Sequence, residues 1–227
     1  MKLILQGLVK PIILGGDCVT EYVIESRTLF SRVVQSLLSE EGQYAVEPYQ
    51  FVDEENGQIK PKGACILVQT PFSLPWDDKC LFGEFYDRLI MELFDDEQLR
   101  IAIEESALEL QRNVARAGFA FSADYGFTSA WDLRKYLKAF GYRIDFDPSA
   151  PLLDSLIMFL AMAADVHCKK PLVFLNLESF LSESDLVTFC EQAVFYGLTV
   201  LLLASSPSEV SCQSLRKQSI DLQFCEW

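Results

Sequence analysis

The chain is poor in positive charge. Its 227 residues hold 33 acidic side chains against 19 lysines and arginines, a formal net charge of −14, with a single histidine. A phosphate backbone is met by lysine and arginine, so net charge alone speaks against nucleic acid. The seven cysteines, Cys18, Cys65, Cys80, Cys168, Cys190, Cys212 and Cys225, are odd in number, scattered and without a CxxC pair. That spacing fits neither a zinc site nor a disulfide framework, and reads as reduced, structural thiols. His167 beside Cys168 makes no nucleophile and base pair, because neighbours on a helix point about 100° apart. No apolar run reaches the roughly 18 residues of a spanning helix, and LIMFLAMAA at Leu156–Ala164 reads as a buried helix. The opening MKLILQGLVKPIILGG, broken by Lys10 and Pro11, is a poor secretory signal. A cytoplasmic protein without a membrane partner is expected. The phosphate-cradling run GxxxxGK[ST] is also absent. Gly15 and Gly16 in LGGDC are the nearest approach, and no Lys-Ser or Lys-Thr follows them.

Half of the residues are hydrophobic, enough for one or two packed domains. The most telling stretch is Leu172–Ala204, LVFLNLESFLSESDLVTFCEQAVFYGLTVLLLA. Its two short, unbroken apolar runs suit strands covered on both faces of a parallel sheet. Between them Ser182 and Asp185 have capping-box spacing. Leu186, Phe189, Cys190, Ala193 and Val194 then recur at helical intervals, and Gly197 stands where a helix C-terminal glycine belongs. The stretch is a βαβ unit. In nucleotide hydrolases such a strand ends in an acid that holds magnesium, and here that place is taken by Asn176. The expectation is an α/β, P-loop-like architecture with a parallel sheet lacking nucleotide-binding motifs, and no nucleotide cofactor.

Upstream, Val19–Glu25 reads as a strand, and Ser26 caps a helix carrying Leu29, Phe30, Val33, Val34, Leu37 and Leu38. Asn56-Gly57 signals a hairpin, and Ala64–Gln69 is another apolar strand. Long helices follow from about residue 79. Leu99, Ile103, Ala107, Leu110 and Val114 form a stripe close to a coiled-coil spacing. Ser129 caps a third helix running to Phe140, and Tyr142–Phe146 alternates as a strand. The expected organisation is a discontinuous α/β domain, 1–78 and 141–227, with a helical domain, 79–140, inserted in it. Charge follows this division. Asp77–Glu109 balances to −8, whereas Leu110–Arg143 holds Arg112, Arg116, Arg134, Lys135, Lys138 and Arg143 against Asp124 and Asp132 alone, a balance of +4.

Several runs, in this order, resemble one family. They are KPI at Lys10–Ile12, IESRTLFSRVVQSLL, GQIKPKGACILV at Gly57–Val68, YLKAFGYRIDF at Tyr136–Phe146, and KKPLVFLNLESFLSESDLVTFCEQAVFYGLTVLLL. The chain is similar to the CRISPR-associated adaptation protein of type II-A loci, the fourth protein of those loci. That is a ring-forming family that binds double-stranded DNA ends. The resemblance implies a P-loop-like head that has lost nucleotide binding, an inserted helical leg domain, and no enzymatic activity. It also implies a homotetrameric ring with a basic inner surface, sequence-independent binding of DNA ends, calcium held by acidic residues, and the adaptation integrase and effector nuclease of the locus as partners. The segment Arg112–Arg143 becomes the candidate DNA-facing surface, joined by Lys60 and Lys62 in the IKPK run and by Arg27 and Arg32 on the first helix. The acidic loop of the family is thinned here to Asp124 and Asp132, few for an ion that takes about six to eight oxygen ligands. An acidic protein-interaction adaptor of the acquisition complex, without direct DNA binding, is the alternative expectation.

Overall fold

The computed structural model describes all residues except 54, 56, 124, 125, 127–130, 146, 224, 226 and 227. In chain order the first elements are β1 (Lys2–Leu5), β2 (Ile12–Ile13), β3 (Val19–Ile24), α1 (Arg27–Ser39), β4 (Tyr49–Val52), β5 (Gln58–Ile59) and β6 (Ile66–Val68). Then come α2 (Lys79–Asp95), α3 (Glu97–Gly118), α4 (Leu133–Ala139), α5 (Leu152–Asp165), β7 (Leu172–Leu175), α6 (Glu183–Phe195), β8 (Val200–Ala204) and β9 (Leu215–Ile220). They fall into two compact units, residues 1–76 with the described residues from Asp145 onward, and Asp77–Ile144.

The first unit holds both sheets. One is antiparallel, in the order β2-β1-β4-β5; the other is wholly parallel, β6-β7-β8-β3-β9. Every residue of β3, β7 and β8 is buried, which is why β7 and β8 are continuous apolar runs rather than alternations. Successive side chains of a strand point to opposite faces, and β7 shows the consequence. Val173 and Leu175 join a core shared with Leu3, Leu5 and Phe51 of the antiparallel sheet and Val33 and Leu37 of α1. Phe174 points the other way, its ring edge-on to Phe159 of α5 at 6.4 Å and Phe189 of α6 at 5.2 Å. Each buried aromatic contributes about 1.5–3 kcal/mol through the surface it withdraws from water.

The βαβ unit has the expected caps with one variation. The Ser182 hydroxyl accepts from the Asp185 amide at 3.2 Å, but it is the hydroxyl, not the Ser182 amide, that donates to the Asp185 carboxylate at 2.7 Å. Gly197 ends α6 at φ +65°, and a side chain at Gly16 would meet the Gly197 carbonyl at 2.6 Å. Gly15 and Gly16 therefore precede β3 and let two backbones touch.

The second unit is helical. Asp96 alone separates α2 from α3, its carboxylate accepting from the Leu99 amide at 2.9 Å, so α3 folds back along α2. Three expectations need correction. The third helix is capped by Asp132, whose carboxylate accepts from the Lys135 amide at 3.1 Å; Ser129 lies outside the described residues. Residues 142–145 form no strand. Tyr142 instead packs its ring 5.6 Å from Phe85 of α2, an aromatic contact outweighing a strand that has no neighbour to pair with. The apolar stripe of α3 is a core only at its middle: Ala107 is buried, while Leu99, Leu110 and Val114 stay exposed. Asn56 of the predicted turn also lies outside the described residues, although β4 and β5 pair across it as an antiparallel hairpin.

Candidate nucleic-acid interface

In open α/β sheets ligands bind beyond the carboxyl ends of the strands, and a phosphate loop occupies the link from a strand to the next helix. The link from β3 to α1 is Glu25 and Ser26 alone. Ser26 caps the helix by accepting from the Leu29 amide, and the Glu25 amide donates to the Ile220 carbonyl. Two residues cannot encircle a phosphate. At the end of β7, Asn176 takes a left-handed conformation, φ 48°, and its Oδ1 accepts from the Ser205 amide at 2.8 Å. The side chain in the magnesium position thus clasps β7 to β8.

A polar network missed in the sequence lies beside that clasp. Glu21, within β3 and fully buried, accepts from the Ser208 amide at 2.8 Å and hydroxyl at 2.9 Å. Lys217 of edge strand β9 reaches the same carboxylate at 3.6 Å. Burial, aided by the Glu21 charge, pushes the Glu178 carboxyl up to about 7. The signal was an acid in an otherwise apolar strand, VTEYVI, since a buried charge needs partners. The arrangement ties down the Ser208 loop. A cavity of about 680 Å³ opens at the opposite ends of β7 and β8, lined by Gly15, Gly16, Lys169 and Thr199 among others. All seven cysteines are free thiols, and burial pushes Cys65 and Cys190 up to about 12, far from a reactive thiolate.

The structure sorts the basic candidates by what already holds them. Arg134 points into its own unit, paired with Asp87 and donating to the Gly83 carbonyl of α2 at 3.1 Å. Arg32 pairs with Glu47 at 2.9 Å. Lys135 touches Asp132 at 3.3 Å, yet its side chain remains 84% exposed. Arg112 and Arg116 lie one turn apart on the exposed side of α3, and Lys138 and Arg143 are exposed on and after α4. Arg27, Lys60 and Lys62 are exposed as well, but belong to the first unit. Of those candidates, the exposed ones in the second unit are Arg112, Arg116, Lys135, Lys138 and Arg143. Asp132 does not fit a calcium ligand: its Oδ1 caps α4 and its Oδ2 faces the Lys135 ammonium. The Lys135 amide, chiefly, holds its carboxyl below the usual range. Asp124 lies outside the described residues, among which no group of three or more metal-binding side chains gathers.

The family model described as CRISPR-associated protein (Cas_Csn2) matches residues 43–221. Among solved structures, Stu0660 of Streptococcus thermophilus superposes with a TM-score of 0.58 at 16% identity, covering 92% of this chain and 69% of its own. A likeness at that identity speaks for the fold. No curated protein matches the chain.

Proposed function

The chain belongs to the Cas_Csn2 family of CRISPR-associated proteins, and from that membership we propose that it serves spacer acquisition without catalysis, holding double-stranded DNA by its ends inside a homotetrameric ring. The observation that carries the reading is the exposed basic set of the helical unit, Arg112, Arg116, Lys135, Lys138 and Arg143, on a chain of net charge −14. Copies that turn these side chains toward a common opening surround a duplex with positive charge. Their acidic remainder repels DNA elsewhere. Contacts to phosphates alone carry no sequence information, which suits ends of arbitrary sequence. The two-residue link after β3 and the Asn176 clasp support a scaffold role for the parallel sheet. No step runs through calcium or a nucleotide. The adaptation integrase and the effector nuclease of the locus are the expected protein partners.

The net charge favours a second reading, an acidic adaptor that assembles the acquisition proteins without touching DNA. Gel shifts of one sequence as linear and as covalently closed duplex, with the size of the protein measured in solution, separate the two. A tetramer that shifts only linear DNA is expected. Equal binding to closed circles, or a monomer, rejects the ring; no shift at low salt leaves the adaptor.

A further inference from the structure

The last two turns of α3 carry cations and an aromatic ring on one side. From Leu110 to Phe121 the only charged residues are Arg112 and Arg116. Both are exposed, and neither forms an ion pair among the described residues. Phe119 ends the helix with helical dihedrals, φ −67° and ψ −11°, so its side chain continues the line of the helix. Residues three, four or seven apart share one face, which sets Arg112, Arg116 and Phe119 together. The arginines stand about 11 and about 5 Å behind the ring along the axis. The ring itself is 87% exposed. A single apolar side chain in water needs no explanation. A planar ring in line with two cations, however, has the make-up of a nucleic-acid platform, where bases stack on aromatics while cations follow the backbone.

Inside a duplex every base pair is covered by its neighbours, and a ring enters only by unstacking a step and kinking the helix. The last pair has one face open to water, so a ring meets it without that cost. Charges on one strand recur about every 3.4 Å of the duplex axis. Arginines about 5 and about 11 Å behind a ring seated on the last pair therefore fall beside the first few phosphates. Every base has a π-face, so such a contact reads an end and not a sequence. We propose that Phe119 stacks on the open face of the terminal base pair of a duplex while Arg116 and Arg112 hold the phosphates behind it. The contact rests on the reading of the chain as a binder of DNA ends, and it recognises an end by chemistry that needs no ring of subunits.

The test uses the full chain and a blunt linear duplex carrying 5-iodouracil in either its last or its central base pair. Irradiation should link the terminal probe to Phe119, located by mass spectrometry of the digested complex, and the central probe should not reach it. In gel shifts Phe119→Ala should weaken binding of the linear duplex at least about fivefold. Phe119→Trp should restore it, whereas Phe119→Leu, apolar but without a π-face, should not. Melting curves and the size in solution should be unchanged in all three, since the ring lies in water. A terminal probe that does not link to Phe119, a central probe that links equally well, or a Leu variant that binds like the wild type each overturns the stacking while leaving DNA binding intact. A Phe119→Ala variant with altered size assigns the ring to a contact between copies and overturns it too. A wild type that does not shift linear duplex at low salt overturns both the stacking and the reading beneath it.

Discussion

Glu178 follows the end of β7 beside the Asn176 clasp, and burial, with the Glu21 charge nearby, raises its carboxyl to about 7. A carboxyl whose folded value lies above its unfolded value binds its proton more tightly in the native state. Its unfavourable contribution is absent below the unfolded value of about 4.5, grows as pH rises, and is complete above about 7. Glu178→Gln removes the ionisation while keeping the shape. Urea melts should show the variant equal to the wild type near pH 4 and more stable at pH 8 by about 1 kcal/mol, a figure reduced for the solvent that reaches the side chain. A constant difference across that range would mean that folding leaves the affinity of the carboxyl for its proton unchanged.

Among the elements, α4 separates a structural arginine from binding candidates. Arg134 fastens the helix to α2 through Asp87 and the Gly83 carbonyl, in a unit whose buried residues are few among those described, Leu81, Tyr86, Ala107 and Leu137. Arg134→Ala should lower stability by about 1 kcal/mol by urea melts. Lys138→Glu should leave the melt unchanged and weaken the DNA gel shift; the reverse pattern would exchange their roles. Spacing alone could not make that distinction, because both residues appear in the sequence as cations of one basic helix. The strands β3, β7 and β8 and the caps at Ser26 and Ser182 were legible because burial on both faces and orphan amides leave local marks. Strand β9 was not: LRKQSI holds four successive polar residues, and only the pairing of β3 with it, from Val19 on Leu215 to Ile24 on Ile220, makes it a strand. Asp132 displaced Ser129 as the cap because helix starts shift by a turn whenever two capping residues stand close. Of the proposed interface, the basic character of segment 110–143 was legible through charge; which of its cations Asp87 had already taken depends on a contact 47 residues distant.

For the whole molecule, the net charge of −14 and the proposed ring meet in one measurement. Binding that rests on phosphate contacts releases counterions, so affinity for linear duplex should fall by about a thousandfold between roughly 50 and 200 mM salt. A flat dependence would point to recognition by other means. The parallel sheet also bears on the order in which the chain acquires its structure. β3 is buried along all six of its residues, yet both of its neighbours lie far downstream, Thr20 aligning with Leu201 of β8 and with Arg216 of β9. During synthesis this strand emerges early and has no native edge to join until residues beyond 200 follow. Loop closure over such a distance is slow, and an unpaired apolar strand is prone to association meanwhile. The helical unit, whose contacts fall between Asp77 and Ile144, is free to form during that interval, so the inserted segment matures before the sheet into which its two ends must close.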